Sequence, residues 1–173
     1  KGLDRLITAM RYAPLVSLVI AGNDEEGYWH ELQAQAAAQG VSDRVVYIGP
    51  VQAGDKAAVL RMARALVLPS YSENFGNVVL EAMAAGRPVI VTPEVGLADA
   101  IAESGAGWVV NGDPALLGRR IAEVAVDRDL CDRAGEHGRR LVRSRYSWSQ
   151  VAEEMESVYE RAIREYRSST GPE

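Results

Sequence analysis

The sequence predicts an α/β fold, a Rossmann-like parallel sheet with helices on both faces. Short apolar runs rich in β-branched residues alternate with longer stretches of helical periodicity, the pattern of successive βαβ units. Small and turn-forming residues follow the apolar runs, at the edge where open α/β sheets bind ligands. A length of 173 residues with 47% hydrophobic content fits one domain, residues 1–173, with one sizeable core.

The elements follow from these runs in order along the chain. Gly40 and Gly86 stand where helix C-caps are expected, and Pro88 opens the strand that follows Gly86. The last helix is expected to close the domain, and residues 168–173 to form a frayed tail. Strands are predicted at 16–21, 44–48, 65–68, 88–92 and 107–110. Helices are predicted at about 2–12, 25–39, 55–63, 77–85, 97–103, 114–126, 129–143 and 148–167.

The beginning of the chain departs from a complete doubly wound pattern. Helical periodicity starts at Leu3 and continues through Leu6, Ile7 and Met10, with no strand before it. In the usual strand order 3-2-1-4-5-6, the strand before that helix is central. We therefore expect a sheet whose first strand is missing.

Composition excludes several classes of protein. The formal charge of -5 and a pI near 5.2 argue against a nucleic-acid partner, because such binding needs a basic face. Cys131 is the one cysteine, so neither a disulfide framework nor a cysteine zinc site is expected. No apolar run approaches roughly 18 residues and no signal pattern opens the chain, so a cytoplasmic location is expected. Lys1 and Lys56 are the only lysines among 19 basic residues, an imbalance typical of coding bias.

Residues 69–86 carry the most informative pattern. A strand runs into a polar loop and then into a helix that begins near Gly76 or Asn77. Backbone N–H groups from Phe75 to Val78 would be free there, and the helix dipole favours an anion such as a diphosphate. Glu73 lies just outside this helix and Glu81 just over one turn inside it. They are too far apart to act on one atom, but they could hold two parts of one elongated ligand.

Helix capping is the alternative interpretation of the same residues. Ser72 or Asn74 would cap the helix, Glu73 would interact with its dipole, and Glu81 would be an exposed helical residue. Phe75 and Met83 are expected in the core rather than at a ligand. Spacing alone leaves capping and ligand binding open.

The order of motifs resembles the retaining GT-B glycosyltransferases of family 4, the group 1 glycosyltransferases. Glu73 and Glu81 resemble that family's E-x7-E motif, and the resemblance covers nearly the whole chain as a GT-B C-terminal domain. The other matching segments are KGLD at 1–4, LVIAG at 18–22, VVYIG at 45–49, PS through GRPVI at 69–90, and YSW at 146–148 with the helix that reaches Tyr159.

The resemblance implies roles for individual residues. Glu81 would accept hydrogen bonds from ribose hydroxyls, and Glu73 would contact the donor sugar near its reacting face. Lys1 would neutralise the diphosphate leaving group, while the family's partner arginine has no counterpart here. The remaining substrate-binding positions are Gly22 and Asn23 in the crevice, Pro50 and Val51 near the nucleobase, and Asn74, Phe75, Gly76, Asn77 and Val78 around the sugar and the distal phosphate.

The implied reaction is the retaining, metal-independent transfer of a sugar from a UDP, GDP or ADP donor, with no cofactor. An acceptor carbohydrate, lipid or small molecule would bind mainly on an N-terminal domain absent from this sequence, so this donor-binding half is expected to be inactive alone. A GT-B nucleotide-sugar epimerase or a non-catalytic nucleotide-sugar-binding or interaction domain is the alternative. A nicotinamide-binding domain is disfavoured because no G-x-G-x-x-G follows a strand.

A basic run near the end of the chain raises a question about membranes. Arg139, Arg140, Arg143 and Arg145 precede Tyr146. Some members of the family work at membranes, so peripheral association of the full enzyme at the cytoplasmic face is conceivable. A solvated helix end is the favoured interpretation of the run.

Overall fold

The computed structural model describes residues 1–169, whose parallel strands are flanked by helices. The strands are β1 (Leu18–Ile20), β2 (Val45–Tyr47), β3 (Leu66–Leu68), β4 (Val89–Val91) and β5 (Gly107–Val109). The α-helices are α1 (Leu3–Ala9), α2 (Tyr28–Ala38), α3 (Ala53–Met62), α4 (Asn77–Ala84), α5 (Ala98–Ser104), α6 (Pro114–Val126), α7 (Arg128–Arg145) and α8 (Trp148–Ser169). Single 3-10 turns cover Met10–Tyr12, Glu25–Gly27 and Ser42–Arg44.

The predicted α/β class is confirmed, with differences at the ends of elements. Each strand has three residues and is shorter than its apolar run. The predicted helix 25–39 begins only at Tyr28, because Glu26 (φ 61°) and Gly27 (φ 74°) are left-handed and interrupt it. Ser168 and Ser169 belong to α8 rather than to a frayed tail, and the rest of that predicted tail lies outside the described residues.

The described strands form two parallel sheets rather than the single sheet predicted. β1 pairs with β2, and β3, β4 and β5 pair in that order. In the expected 3-2-1-4-5-6 order, the central position falls between β1 and β3. No residue of the described chain forms a strand at that position, so no backbone hydrogen bonds join the two sheets.

Helix α1 and the turn after it connect the two sheets. Ile7 and Met10 pack in a core with Ile20 of β1, whereas Leu6 and Ala9 pack in a second core beside β4. The first core also contains Leu32, Ala36, Val41 and Val45. The second also contains Ala13, Ile90, Leu117, Ile121, Val124 and Cys131. Apolar burial on two sides of one short helix therefore substitutes for a continuous sheet.

A third core lies around helix α4, which carries the predicted site motif. Val79 and Met83 of α4 are fully buried against β4 and α7, as the prediction for Met83 required. Other members of this core include Val89, Val91, Val95, Ile101 and Leu141. The buried face of α4 thus fixes the position of the helix start at residues 76–78.

Helix α8 is largely solvent-facing, whereas α7 packs on the core through buried residues such as Gly138 and Leu141. Apolar side chains of α8, among them Met155 and Ile163, are about half exposed. Arg139 of α7 is held within the chain, with Nη1 3.6 Å from Glu136 and Nη2 donating to the carbonyl of Ala85 at 3.4 Å. Among the described helices, none is long and apolar enough to cross a membrane.

The role of α1 predicts a large effect of truncating its buried side chain. Ile7 has no exposed surface, so Ile7→Ala should lower the free energy of unfolding by about 2–5 kcal/mol in chemical denaturation. Leu15 is 89% exposed and serves as the control, with an expected change within about 0.5 kcal/mol for Leu15→Ala. Equal effects of the two substitutions would contradict the bridging role.

Candidate functional site

The loop after β3 is fixed to the loop after β4. The Glu73 N–H donates to the carbonyl of Glu94 at 3.0 Å, and the Gly96 N–H donates to the carbonyl of Glu73 at 2.8 Å. The Thr92 hydroxyl donates to the carbonyl of Ser70 at 2.7 Å in a buried position. These bonds at the carboxyl ends of two parallel strands hold the Glu73 backbone in place.

Helix α4 begins without the side-chain cap that the capping interpretation predicted. Gly76 occupies the N-cap position with a φ of 88°, and neither Ser72 nor Asn74 caps the helix. The left-handed φ is accessible to glycine at little cost. The amides of Phe75 and Gly76 lie close enough to the Glu73 carboxylate to lower its pKa. Glu73 therefore places a negative charge beside the start of the helix.

Two of the four predicted amides lie within α4 itself. The N–H groups of Asn77 and Val78 donate to no acceptor among the described residues. They are the first two amides of α4, where the helix dipole is positive. An anionic group can be bound there without displacing a hydrogen bond of the protein.

Lys1 forms an ion pair with Glu73. Its Nζ donates to Glu73 Oε2, and the lysine side chain is 66% exposed against 16% for the glutamate. The hydrogen bond from Lys1 lowers the pKa of the Glu73 carboxyl. The Lys1 charge and the amides of Phe75 and Gly76 lower it further, while partial burial opposes them. Glu73 is therefore ionised at neutral pH.

Gly2 brings Lys1 to this position. It has a left-handed φ of 73°, and a Cβ on it would lie 1.9 Å from the carbonyl oxygen of Pro69. The start of α1 thus touches the end of the β3 segment directly. The side chains of α1 strengthen this contact, because the Tyr71 hydroxyl donates to Asp4 at 2.6 Å and the Arg5 guanidinium lies 3.5 Å from the Tyr71 ring centroid. Sequence reasoning missed Asp4, Arg5 and Tyr71.

Glu81 also has a lysine partner. Nζ of Lys56, in the first turn of α3, donates to Glu81 Oε1 at 2.7 Å. Glu81 Oε2 is buried and has no hydrogen-bond partner in the described chain. The Glu81 side chain is 37% exposed and that of Lys56 43%, so the pair is partly accessible to a ligand although Oε2 itself is buried. Sequence reasoning also missed Lys56.

The other predicted positions lie on the neighbouring sheet. The Gly22 N–H donates to the carbonyl of Gly49 at 2.9 Å, and the Tyr47 hydroxyl donates to the carbonyl of Gly22 at 2.8 Å. The ends of β1 and β2 therefore meet at Gly22 and at Gly49, which precedes Pro50. Asn23 and Pro50 are exposed, and the loop through Val51 leads into α3.

Phe75 and Asn74, in the loop before α4, differ in how they contact the rest of the protein. Phe75, predicted to be a core residue, is 42% exposed because the loop turns its ring outward, edge-on to Tyr146 at 6.0 Å between centroids. The carbonyl of Asn74 packs closely against Gly96, where a Cβ would lie 2.0 Å away. Asn74 therefore contributes backbone packing, while its side chain is exposed.

The structure thus brings together Lys1, Glu73 and the α4 amides, with the Lys56–Glu81 pair one turn further along α4. The described contacts place Gly22 beside the end of β2 and do not connect it to Glu73. Within residues 1–169, no three His, Cys, Asp or Glu side chains form a cluster that could hold a metal ion.

Sequence comparison identifies the family. Residues 1–141 match the family described as glycosyl transferases group 1. The chain belongs to this family. A D-inositol 3-phosphate glycosyltransferase of Streptomyces coelicolor is 39% identical over 137 residues, which are 79% of this chain and 30% of the relative. An uncharacterised glycosyltransferase of Methanocaldococcus jannaschii is 34% identical over 171 residues, 94% of this chain and 42% of the relative.

Solved structures of glycosyltransferases have the same fold. Sucrose-phosphate synthase from Thermosynechococcus elongatus matches with a TM-score of 0.85 and 28% identity over 95% of this chain and 43% of its own. Anabaena HepE, in complex with UDP and glucose, matches with a TM-score of 0.77 and 25% identity over 88% of this chain and 44% of its own. This group 1 glycosyltransferase chain spans less than half the length of each of these relatives.

The lowered pKa of Glu73 predicts a pH-dependent contribution to stability. A carboxyl whose pKa is depressed in the folded state stabilises the fold above its ordinary value of 4.5 and loses this effect as the pH falls through its folded value. In thermal unfolding at pH 7, the melting temperature of the wild type should be higher than that of Glu73→Gln. This difference in melting temperature should shrink as the pH falls from about 5 to 3. Glu103→Gln, at an exposed position, is the control. A difference independent of pH would contradict the ion pair.

The contact of Gly2 predicts a cost beyond backbone strain. Gly27 has nearly the same φ of 74°, but a Cβ there meets nothing within 4 Å. Gly27→Ala should therefore cost about 1–2 kcal/mol from φ alone. Gly2→Ala should cost a further 1–3 kcal/mol, roughly, because it also collides with Pro69. Denaturant titration measures both values, and equal costs would rule out the contact.

Proposed function

We propose that this chain binds a nucleotide-diphospho-sugar and is the donor-binding part of an enzyme that transfers the sugar with retention of configuration. The convergence of Lys1, Glu73 and the free amides of Asn77 and Val78 at one helix start carries this proposal. It places two kinds of phosphate-binding group beside a carboxylate that can accept sugar hydroxyls. Family membership supports the same reaction class.

The charges of the site suit a diphosphate leaving group. As the bond from the anomeric carbon to the phosphate oxygen breaks, negative charge develops on that oxygen. Lys1 is exposed enough to turn from Glu73 toward the phosphate, and the amides of α4 are fixed in place by its buried face. Stabilisation by a lysine and a helix dipole needs no metal ion and no cofactor, and we propose that the reaction uses neither.

The retained configuration follows from a reaction on one face of the sugar. The acceptor hydroxyl oxygen bonds to the anomeric carbon on the face that the diphosphate leaves. Its proton passes to the departing phosphate oxygen, so the reaction needs no separate protein base. Glu73, next to this face, would orient the sugar through its hydroxyls.

The remaining residues divide the donor between two loops. Glu81 would bind the ribose hydroxyls, and Pro50 with Val51 would flank the nucleobase, while Gly22 and Asn23 would line the crevice. HepE was crystallised with UDP, which makes UDP the first nucleotide to test. The acceptor would bind mainly on a second domain in the cytoplasm, and the D-inositol 3-phosphate of the curated relatives is a first acceptor to test.

Calorimetric titration with UDP, GDP and ADP tests the donor site. We expect one nucleotide to bind without a divalent cation. Glu81→Ala should lower the affinity for that nucleotide by about 10- to 100-fold, as expected for the loss of a charged hydrogen bond. Glu103→Ala is the matched control and should leave the affinity unchanged.

Three outcomes would count against the proposal. Binding that is equally strong in Glu81→Ala, or that requires a divalent cation, would contradict the assigned geometry. Binding of none of the nucleotides would favour an interaction domain. Recovery of an added nucleotide-sugar as its epimer would favour an epimerase.

A further inference from the structure

We propose that Lys56 is a further donor-binding residue, which acts with Glu81 on the ribose diol. This inference rests on the proposed function, and it concerns a side chain on α3, outside the motif at residues 69–86. The observation behind it is the 2.7 Å contact from Lys56 Nζ to Glu81 Oε1, next to an unpartnered Glu81 Oε2.

The distribution of lysines in the chain supports this role. The sequence uses arginine for its basic residues everywhere except at positions 1 and 56. The fold brings these two lysines to the two glutamates of the site, Lys1 to Glu73 and Lys56 to Glu81. A compact ammonium with freely rotating donors can be shared between a carboxylate and a ligand, whereas a planar guanidinium forms a fixed fork. Each of the two lysines in the sequence therefore contacts one of the two glutamates of the proposed site.

Charge balance gives a physical reason for the second lysine. Glu81 lies one turn inside the helix whose start would bind phosphates, and an unpaired carboxylate there would repel a nucleoside diphosphate. Lys56 cancels that charge locally. The pair is partly exposed on both sides, so it adds little to the stability of the fold, and its effect is expected in ligand binding.

The hydrogen-bonding capacity of the pair matches a vicinal diol. Each ribose hydroxyl both donates and accepts. Glu81 Oε1 keeps a second acceptor lone pair beside its bond from Lys56, and Lys56 retains two of its three N–H donors. One hydroxyl can therefore donate to the carboxylate while its oxygen accepts from the ammonium. A deoxyribose lacks one of these hydroxyls and would lose both interactions.

A comparison of ribose and 2′-deoxyribose ligands tests this coupling. The probes are UDP, GDP or ADP, whichever binds the wild-type chain in the calorimetric screen, and its 2′-deoxy form. Lys56→Met should lower the affinity for the ribonucleotide about tenfold and the affinity for the 2′-deoxy form clearly less. The selectivity for ribose over deoxyribose should therefore fall. Lys56→Arg should recover part of the loss because it keeps the charge.

Arg61→Met is the matched control, because Arg61 is an exposed basic residue on the same helix. It should leave both affinities unchanged. Wild-type affinity for both ligands in Lys56→Met would overturn the inference and leave the proposed function standing. An equal loss of affinity for both ligands in Lys56→Met would also overturn it, because the effect of the Lys56 charge would then not depend on the ribose diol. Absence of wild-type binding to all three nucleotides would overturn the proposed function and this inference together.

Discussion

The packing of α1 against both sheets is the constraint on which the rest of the structure depends. Without backbone pairing between β1 and β3, the relative position of the two sheets depends on side-chain packing, to which one seven-residue helix and the turn after it contribute buried residues in both cores. The same helix begins at Gly2, in contact with Pro69, and so sets the distance from Lys1 to Glu73. Core packing and site geometry therefore share one element, and a disturbance of either is transmitted to the other.

Glu73 lies beside the helix dipole, as the capping interpretation predicted, although neither Ser72 nor Asn74 caps the helix. The carboxylate lies close to the amides of Phe75 and Gly76, which lower its pKa, and it accepts a hydrogen bond from Lys1. A carboxylate held in this way is preorganised for the ligand contact proposed for it. Stability at the helix start and preorganisation of the site thus have the same physical origin.

Local signals allowed much of the fold to be predicted, and long-range contacts account for what was missed. Helix α6 has the predicted bounds, because Asp113 accepts from two amides of its first turn and Pro114 occupies the first helical position. The start of α2 was predicted wrongly, because the left-handed turn at Glu26 has no strong local signature. The Lys56–Glu81 contact joins residues 25 positions apart. Only the fold shows that each of the two lysines lies beside one of the two glutamates.

Each glutamate of the site forms an ion pair with a lysine, and this determines what the proposed donor would have to do to bind. An incoming nucleotide would exchange these internal ion pairs for contacts with itself. The net affinity is then the difference between two sets of charged hydrogen bonds, which is smaller than either set alone. The amides of Asn77 and Val78 have no such competitor among the described residues. Under the proposed function, the phosphates would therefore contribute most of the affinity at the start of α4, and the sugar and ribose contacts on either side would adjust around that point.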